Sequence, residues 1–104
     1  MKLTIIERIT LLGALPTEGN VVTLKIVRKL REALSFTEEE LKTFGIEVQG
    51  ERITWNVTVE PPDGVEIPVG EKATDIASAA LQKLNAANKL TEQHLSLCEK
   101  FNIS

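Results

Sequence analysis

Along residues 4–15 the apolar positions Ile5, Ile9 and Leu12 recur at helical spacing, with Ile6 and Leu15 widening the stripe. A helix is expected there. Thr4 and Glu7 have the spacing of a capping box, in which hydroxyl and carboxylate satisfy the amides that a helix start leaves unpaired. Pro16 cannot continue the helix, and Thr17, Gly19 and Asn20 are turn or cap residues. Residues 21–34 open with the β-branched run VVTLKIV, which suits a strand. Ile26, Val27, Leu30, Ala33 and Leu34 nevertheless keep a three-to-four spacing, and no turn signal divides the run, so a second helix is expected. Residues 35–45 make a third, short helix. Thr37 caps it, Glu40 closes its box, Phe36 is placed to staple onto Leu41, and Gly45 falls where a helix ends in a left-handed turn.

From residue 46 the period changes to two. IEVQGERITWNVTVE alternates apolar and polar positions, with Gln49 and Gly50 in the place of a hairpin turn. PPDG, residues 61–64, is a turn, and VEIPV, residues 65–69, alternates again. Pro68 has no amide to donate, so this last strand belongs at an edge. Beyond Gly70 a long helix runs from 71 to about 88, with Ala73, Ile76, Ala77, Ala80, Leu81, Leu84 and Ala87 as its buried stripe. Thr91 caps a last helix, with Leu95, Cys98 and Phe101 as its apolar line and Leu90 and Leu95 as a further staple. The echo between FTEEEL (36–41) and LTEQHL (90–95) reads as one local solution for starting a helix, used twice.

The expected fold is a single α+β domain over residues 1–104, in the order ααα-βββ-αα. A three-stranded antiparallel β-meander packs against about five helices. Its core-facing side is Ile46, Val48, Ile53, Trp55, Val57, Val59, Val65, Ile67 and Val69. Trp55, the only tryptophan, is in phase with Ile53, Val57 and Val59, so it is expected as a core anchor rather than a binding residue.

Composition changes this picture little. Of 104 residues 42% are hydrophobic and 26% charged, which is enough apolar material for one core and too little imbalance for a disordered chain. Twelve basic against fifteen acidic side chains leave a formal charge of −3, so the whole-molecule field does not favour nucleic acid or anionic membrane. One cysteine excludes an intramolecular disulfide and fits a reducing compartment. The start of the chain lacks the apolar segment and cleavage site of a signal peptide, and no apolar run approaches the roughly 18 residues of a membrane span. A cytoplasmic location is expected. The glycosylation-like triplets at Asn56 and Asn102 are then without meaning.

Catalytic and metal chemistry is hard to find. His94 and Cys98 are four apart on one helix, but no second histidine or cysteine completes a zinc site, and Cys98 lies on the apolar line. GVEIPVGEKAT, residues 64–74, runs from strand to helix without phosphate-loop spacing, and Glu71 already complements the helix dipole. Glu38, Glu39 and Glu40 sit in the first turn of a capped helix, where acids belong. No catalytic residue, metal ligand or cofactor is assigned, and the chain is not expected to be an enzyme. The cations Lys25, Arg28 and Lys29 share a helix, and with Arg52 on the hairpin they are the candidate interaction residues. Three helices followed by a hairpin outline a winged helix, which would bind nucleic acid. Against that, the helix in the recognition position opens with three glutamates, and Glu51 offsets Arg52 at the wing tip. A solvated helix face, with Arg28 and Glu32 as an i,i+4 pair, is the favoured reading of the cluster over nucleic-acid binding.

The stretch IIERITLLGALPTEGNVVTLKIVRKLREALSFTEEELKTFGI, with ERITWN after it, resembles small proteins encoded by bacteriophages and prophages. LPTEGN and ITWN are its most specific phrases. The resemblance implies an origin and carries no activity and no site residue. The function expected is that of a non-enzymatic accessory protein that binds another protein or a second copy of itself, with a winged-helix-like nucleic-acid regulator as the alternative. The edge strand at residues 65–69 and the apolar stripes of the first two helices are the expected contact surfaces.

Overall fold

A computed structural model describes residues 1–103. Its elements in chain order are β1 (Lys2–Leu3), α1 (Ile5–Ala14), α2 (Val21–Leu34), α3 (Glu38–Thr43), β2 (Glu47–Gln49), β3 (Arg52–Thr54), β4 (Val65–Glu66), α4 (Glu71–Ala86) and α5 (Glu92–Lys100). The fold is α+β. α1 is the hub, with α2, α4 and α5 packed around it and α2 also against α4. Because α1 is enclosed on so many sides, even Glu7 and Arg8 are buried on it.

Helix ends follow local chemistry. Thr4 with Glu7, and Thr37 with Glu40, form reciprocal capping boxes, and the Asn20 side chain accepts the Thr23 amide at 2.8 Å to start α2. Three helices stop on a left-handed residue, Gly45, Asn88 or Asn102. In each, the amide one residue further on reaches back across the last turn: Ile46 to Leu41, Lys89 to Leu84 and Ile103 to Cys98. These are Schellman closures, and glycine and asparagine tolerate the positive φ they require.

The three-stranded meander does not form. There are two separate two-stranded antiparallel sheets, β2 with β3 and β1 with β4. β2 and β3 make the expected hairpin, with Val48 opposite Ile53 and Gly50 at φ +64° in its turn. The chain then leaves extended structure at Asn56. The Asn56 carboxamide oxygen accepts both the amide and the hydroxyl of Thr58, and its carbonyl accepts the Val59 amide at 3.3 Å. This local turn competes with the ladder and wins. Val57 and Val59, expected to face the core, are 67% and 47% exposed, and Val48 is 65% exposed. β4 pairs instead with β1, a strand that the sequence pattern did not indicate. Lys2 lies opposite Glu66 and Leu3 opposite Val65, and the Ile67 amide donates to the Met1 carbonyl at 2.8 Å. Gly64 makes this junction possible: at φ +92°, a Cβ on it would lie 2.1 Å from the Leu3 carbonyl carbon.

Two apolar clusters result. The larger joins Leu3, Leu11, Leu15, Val27, Leu30, Leu34, Ile67, Ala73, Ala77, Leu81, Leu97 and Phe101. The smaller is Ile5, Phe44 and Ile46, with Ile9, Phe36, Ile53, Trp55 and Val65 against it. Trp55 is half-buried there, and its indole N–H donates to Glu60 at 3.2 Å. It anchors an edge of the core with its polar tip held at the surface. On α5 it is Leu97 that enters the core beside Cys98 and Phe101, while Leu95 is 58% exposed. No helix among the described residues is long and apolar enough to cross a membrane.

Candidate interaction surface

α2 buries Val27, Leu30 and Leu34 and turns its opposite side outwards. Its first turn carries two strongly exposed aliphatic side chains, Val21 at 68% and Val22 at 62%, with Leu24 at 38% beside them. Lys25, Arg28 and Lys29 are exposed directly after. Spacing by four, three and four puts Val21, Lys25, Arg28 and Glu32 on one ridge. The expected Arg28–Glu32 pair does not close: the ion pairs among the described residues involve none of the three α2 cations. Their charge is therefore free. A shallow groove of about 350 Å³ is lined by Val21, Leu24, Lys25 and Arg28. Arg52 is not part of this surface. It lies on β3, exposed, opposite Gln49 in the hairpin.

At the other end of α2 the charge reverses. A groove of about 520 Å³ has Ala33, Phe44, Val65 and Ile67 among its walls and Glu32, Glu39 and Glu66 around it. Glu40 also lines it, but that carboxylate is taken by Arg8. The buried Arg8 guanidinium donates to the Leu34 carbonyl at 3.0 Å, to the Ser35 carbonyl at 2.8 Å and to both Glu40 oxygens, and it lies 4.3 Å from the Phe36 ring centre. Arg8 holds the Glu40 carboxyl below the ordinary carboxylate range, against burial and with help from the Thr37 amide. The assembly is structural. It ties α1 to the end of α2 and the start of α3, and every donor aimed inwards has a partner.

Glu7 belongs to a second such assembly. Burial pushes its carboxyl up, but bonds from the Lys100 ammonium, the Thr4 amide and Ser96 outweigh that and hold it low. The Lys100 ammonium, 2.6 Å from Glu7, also donates to the Lys2 carbonyl at 2.7 Å. It thereby links α5 to β1.

His94 and Cys98 do not form a reactive pair. Nδ1 of His94 faces back to the cap of its own helix, 3.0 Å from the Thr91 amide that donates to it. Cys98 is buried, and burial pushes its thiol up, away from the thiolate that nucleophilic attack requires. Glu38 and Glu39 are exposed at the start of α3. Among the described residues no group of three or more histidine, cysteine or acidic side chains is placed to hold a metal ion. A third groove, mostly apolar and about 510 Å³, lies where α4 meets the end of α1 and the start of α2. Alanines 79, 80 and 87 floor it with Leu84.

The sequence singled out the α2 cations and the helical stripes but not the acidic groove. That groove joins residues from α2, α3 and β4, and no local pattern indicates which strand β4 will join. No protein-family model matches the chain, and no curated protein or solved structure matches it either.

Proposed function

We propose that this chain is a non-enzymatic interaction protein, of the accessory kind that phage genomes carry, working in the host cytoplasm. It acts by binding a protein partner or a second copy of itself through the outward face of α2. One observation carries this reading: Val21, Val22 and Leu24 stand exposed beside cations that no acid among the described residues pairs with. A cluster of exposed aliphatic side chains rimmed by charge marks contact surfaces more often than bare solvent faces. The test is capture of partners from host lysate on the immobilised chain, run beside a Val21→Asp/Leu24→Asp variant, with the mass of each measured by light scattering. The wild type should retain a protein or pair with itself, and the variant should do neither while unfolding at the same denaturant concentration. Equal behaviour of the two removes α2 from the contact. A strictly monomeric wild type that retains nothing rejects the reading.

The unpaired state of Lys25, Arg28 and Lys29 also supports the alternative, a nucleic-acid regulator. The exposed Glu38 and Glu39 on the short α3 oppose it, because a recognition helix that opens with acids repels phosphate. A shift of labelled DNA that weakens with salt and vanishes on replacing the three cations by alanine would favour it. No shift at low salt rejects it.

A further inference from the structure

We propose that the acidic groove at the end of α2 takes an extended, basic segment of a partner protein, which adds a third strand to the open edge of β4. This site is separate from the outward face of α2. Hydrogen-bond parity fixes which edge is open. Ile67 exchanges two bonds with Met1: its amide donates to the Met1 carbonyl at 2.8 Å, and its carbonyl accepts from the Met1 ammonium at 3.0 Å. In an antiparallel ladder alternate residues face the same edge, so the amide and carbonyl of Glu66 point away from β1. The sheet has two strands, and among the described residues nothing bonds to either group. The outer edge of β1 differs, because there the Lys2 carbonyl already accepts from Lys100 at 2.7 Å. The groove touches the consecutive residues Val65, Glu66, Ile67 and Pro68 but no residue of β1. Side chains alternate between faces, so a groove that meets neighbours in a row follows the strand's edge.

Chemistry selects the occupant. An added strand puts the residue opposite Glu66 on the Glu66 side, and that residue's neighbours on the apolar side of Val65 and Ile67. The pattern that fits is therefore apolar, basic, apolar. Glu32 and Glu39 on the rim are exposed and form no ion pair among the described residues. The Glu66 carboxylate stays 70% exposed despite its 3.4 Å contact with the Met1 ammonium. Main-chain bonds supply affinity, and the acids select for lysine or arginine. A second copy of β4 does not fit, because antiparallel pairing about Glu66 sets glutamate against glutamate. Pro68 has no amide, which keeps the pairing short and checks runaway strand addition.

The test is titration of the isotope-labelled full chain with short capped peptides, followed by amide NMR. A peptide alternating valine with lysine should bind with a Kd of about 100 µM or tighter, move the Glu66 amide resonance and slow exchange of that amide with solvent. The same peptide with its lysine amides N-methylated, or with glutamate in place of lysine, should bind at least about tenfold more weakly. Glu32→Lys/Glu39→Lys should weaken binding of the lysine peptide by about the same factor, with circular dichroism matching the wild type. Val21→Asp/Leu24→Asp should leave it unchanged. No binding by about 1 mM overturns the proposal. So do resonance changes confined to the β2–β3 hairpin or to the first turn of α2, equal binding of the glutamate or N-methylated peptide, or undiminished binding by the charge-reversed chain. If the capture test fails while the lysine peptide still moves Glu66, the α2 reading alone falls.

Discussion

The sheet made by β1 and β4 pairs two residues of each strand, and the hairpin of β2 and β3 pairs three. The hairpin also has the stronger sequence signal, with clear alternation and a glycine in its turn. Yet the shorter sheet lies at the centre of the molecule. Leu3 is fully buried in the main core, with Ile67 directly after β4 buried beside it, and the Lys100 ammonium binds the β1 backbone and Glu7 together. In the hairpin Val48 points to solvent and only Ile53 reaches a cluster, from a half-buried position. Alternation identifies a strand, whereas what the strand packs against decides how much the fold depends on it.

The hardest way to break this contrast is Gly64→Ala. The added carbon would overlap the β1 backbone, which cannot move aside as a flexible side chain would, and the residue would keep a positive φ. A loss of at least about 4 kcal/mol is expected by urea denaturation, or failure to fold. A loss under about 1 kcal/mol would mean that β1 and β4 separate readily.

Acid should sharpen the comparison at intermediate size. Glu7 and Glu40 have carboxyls lowered in the folded state, so their contribution is full above the ordinary glutamate value and lost as pH falls through the lowered one. The denaturation midpoint should hold near neutrality and fall below about pH 4. Glu7→Gln should cost about 1–3 kcal/mol at neutral pH and flatten the acid slope, because Lys100 then lacks its charged partner. An unchanged slope would show that the Glu7–Lys100 pair does not hold β1. The smallest effect belongs to the hairpin: Val48→Thr should change stability by no more than about 0.5 kcal/mol. A larger loss would give the hairpin a structural weight that its exposure denies.

What the sequence made legible was local. Thr4 with Glu7, Thr37 with Glu40, and Gly45 and Gly50 act within a few residues of themselves, so helix starts, a helix end and the hairpin turn could be placed. Three things were not legible, each depending on distant residues or on competition. β1 is too short to show a period. Arg8 looks like a surface cation until α2 and α3 close over it. Val57 and Val59 alternate as a strand does, but the Asn56 side chain draws the backbone into a turn first. The candidate surface divides the same way. The α2 cations are contiguous in sequence and were found, whereas the acidic groove is assembled from separate segments and was not.

The pairing of Leu3 with Val65 also bears on the order of events in folding. Its partners are about sixty residues apart, whereas Val48 and Ile53 in the hairpin are about five apart. Loop entropy grows slowly with length, so closing the longer loop from a disordered chain costs only about 2 kcal/mol more. That is still a delay of one to two orders of magnitude if nothing shortens the search. During synthesis β1 emerges first and waits without a partner until residue 66 has left the ribosome. We expect the sheet to close as a late step, on a helical surface formed earlier. Substitutions in β1 and β4 would then change the unfolding rate far more than the folding rate.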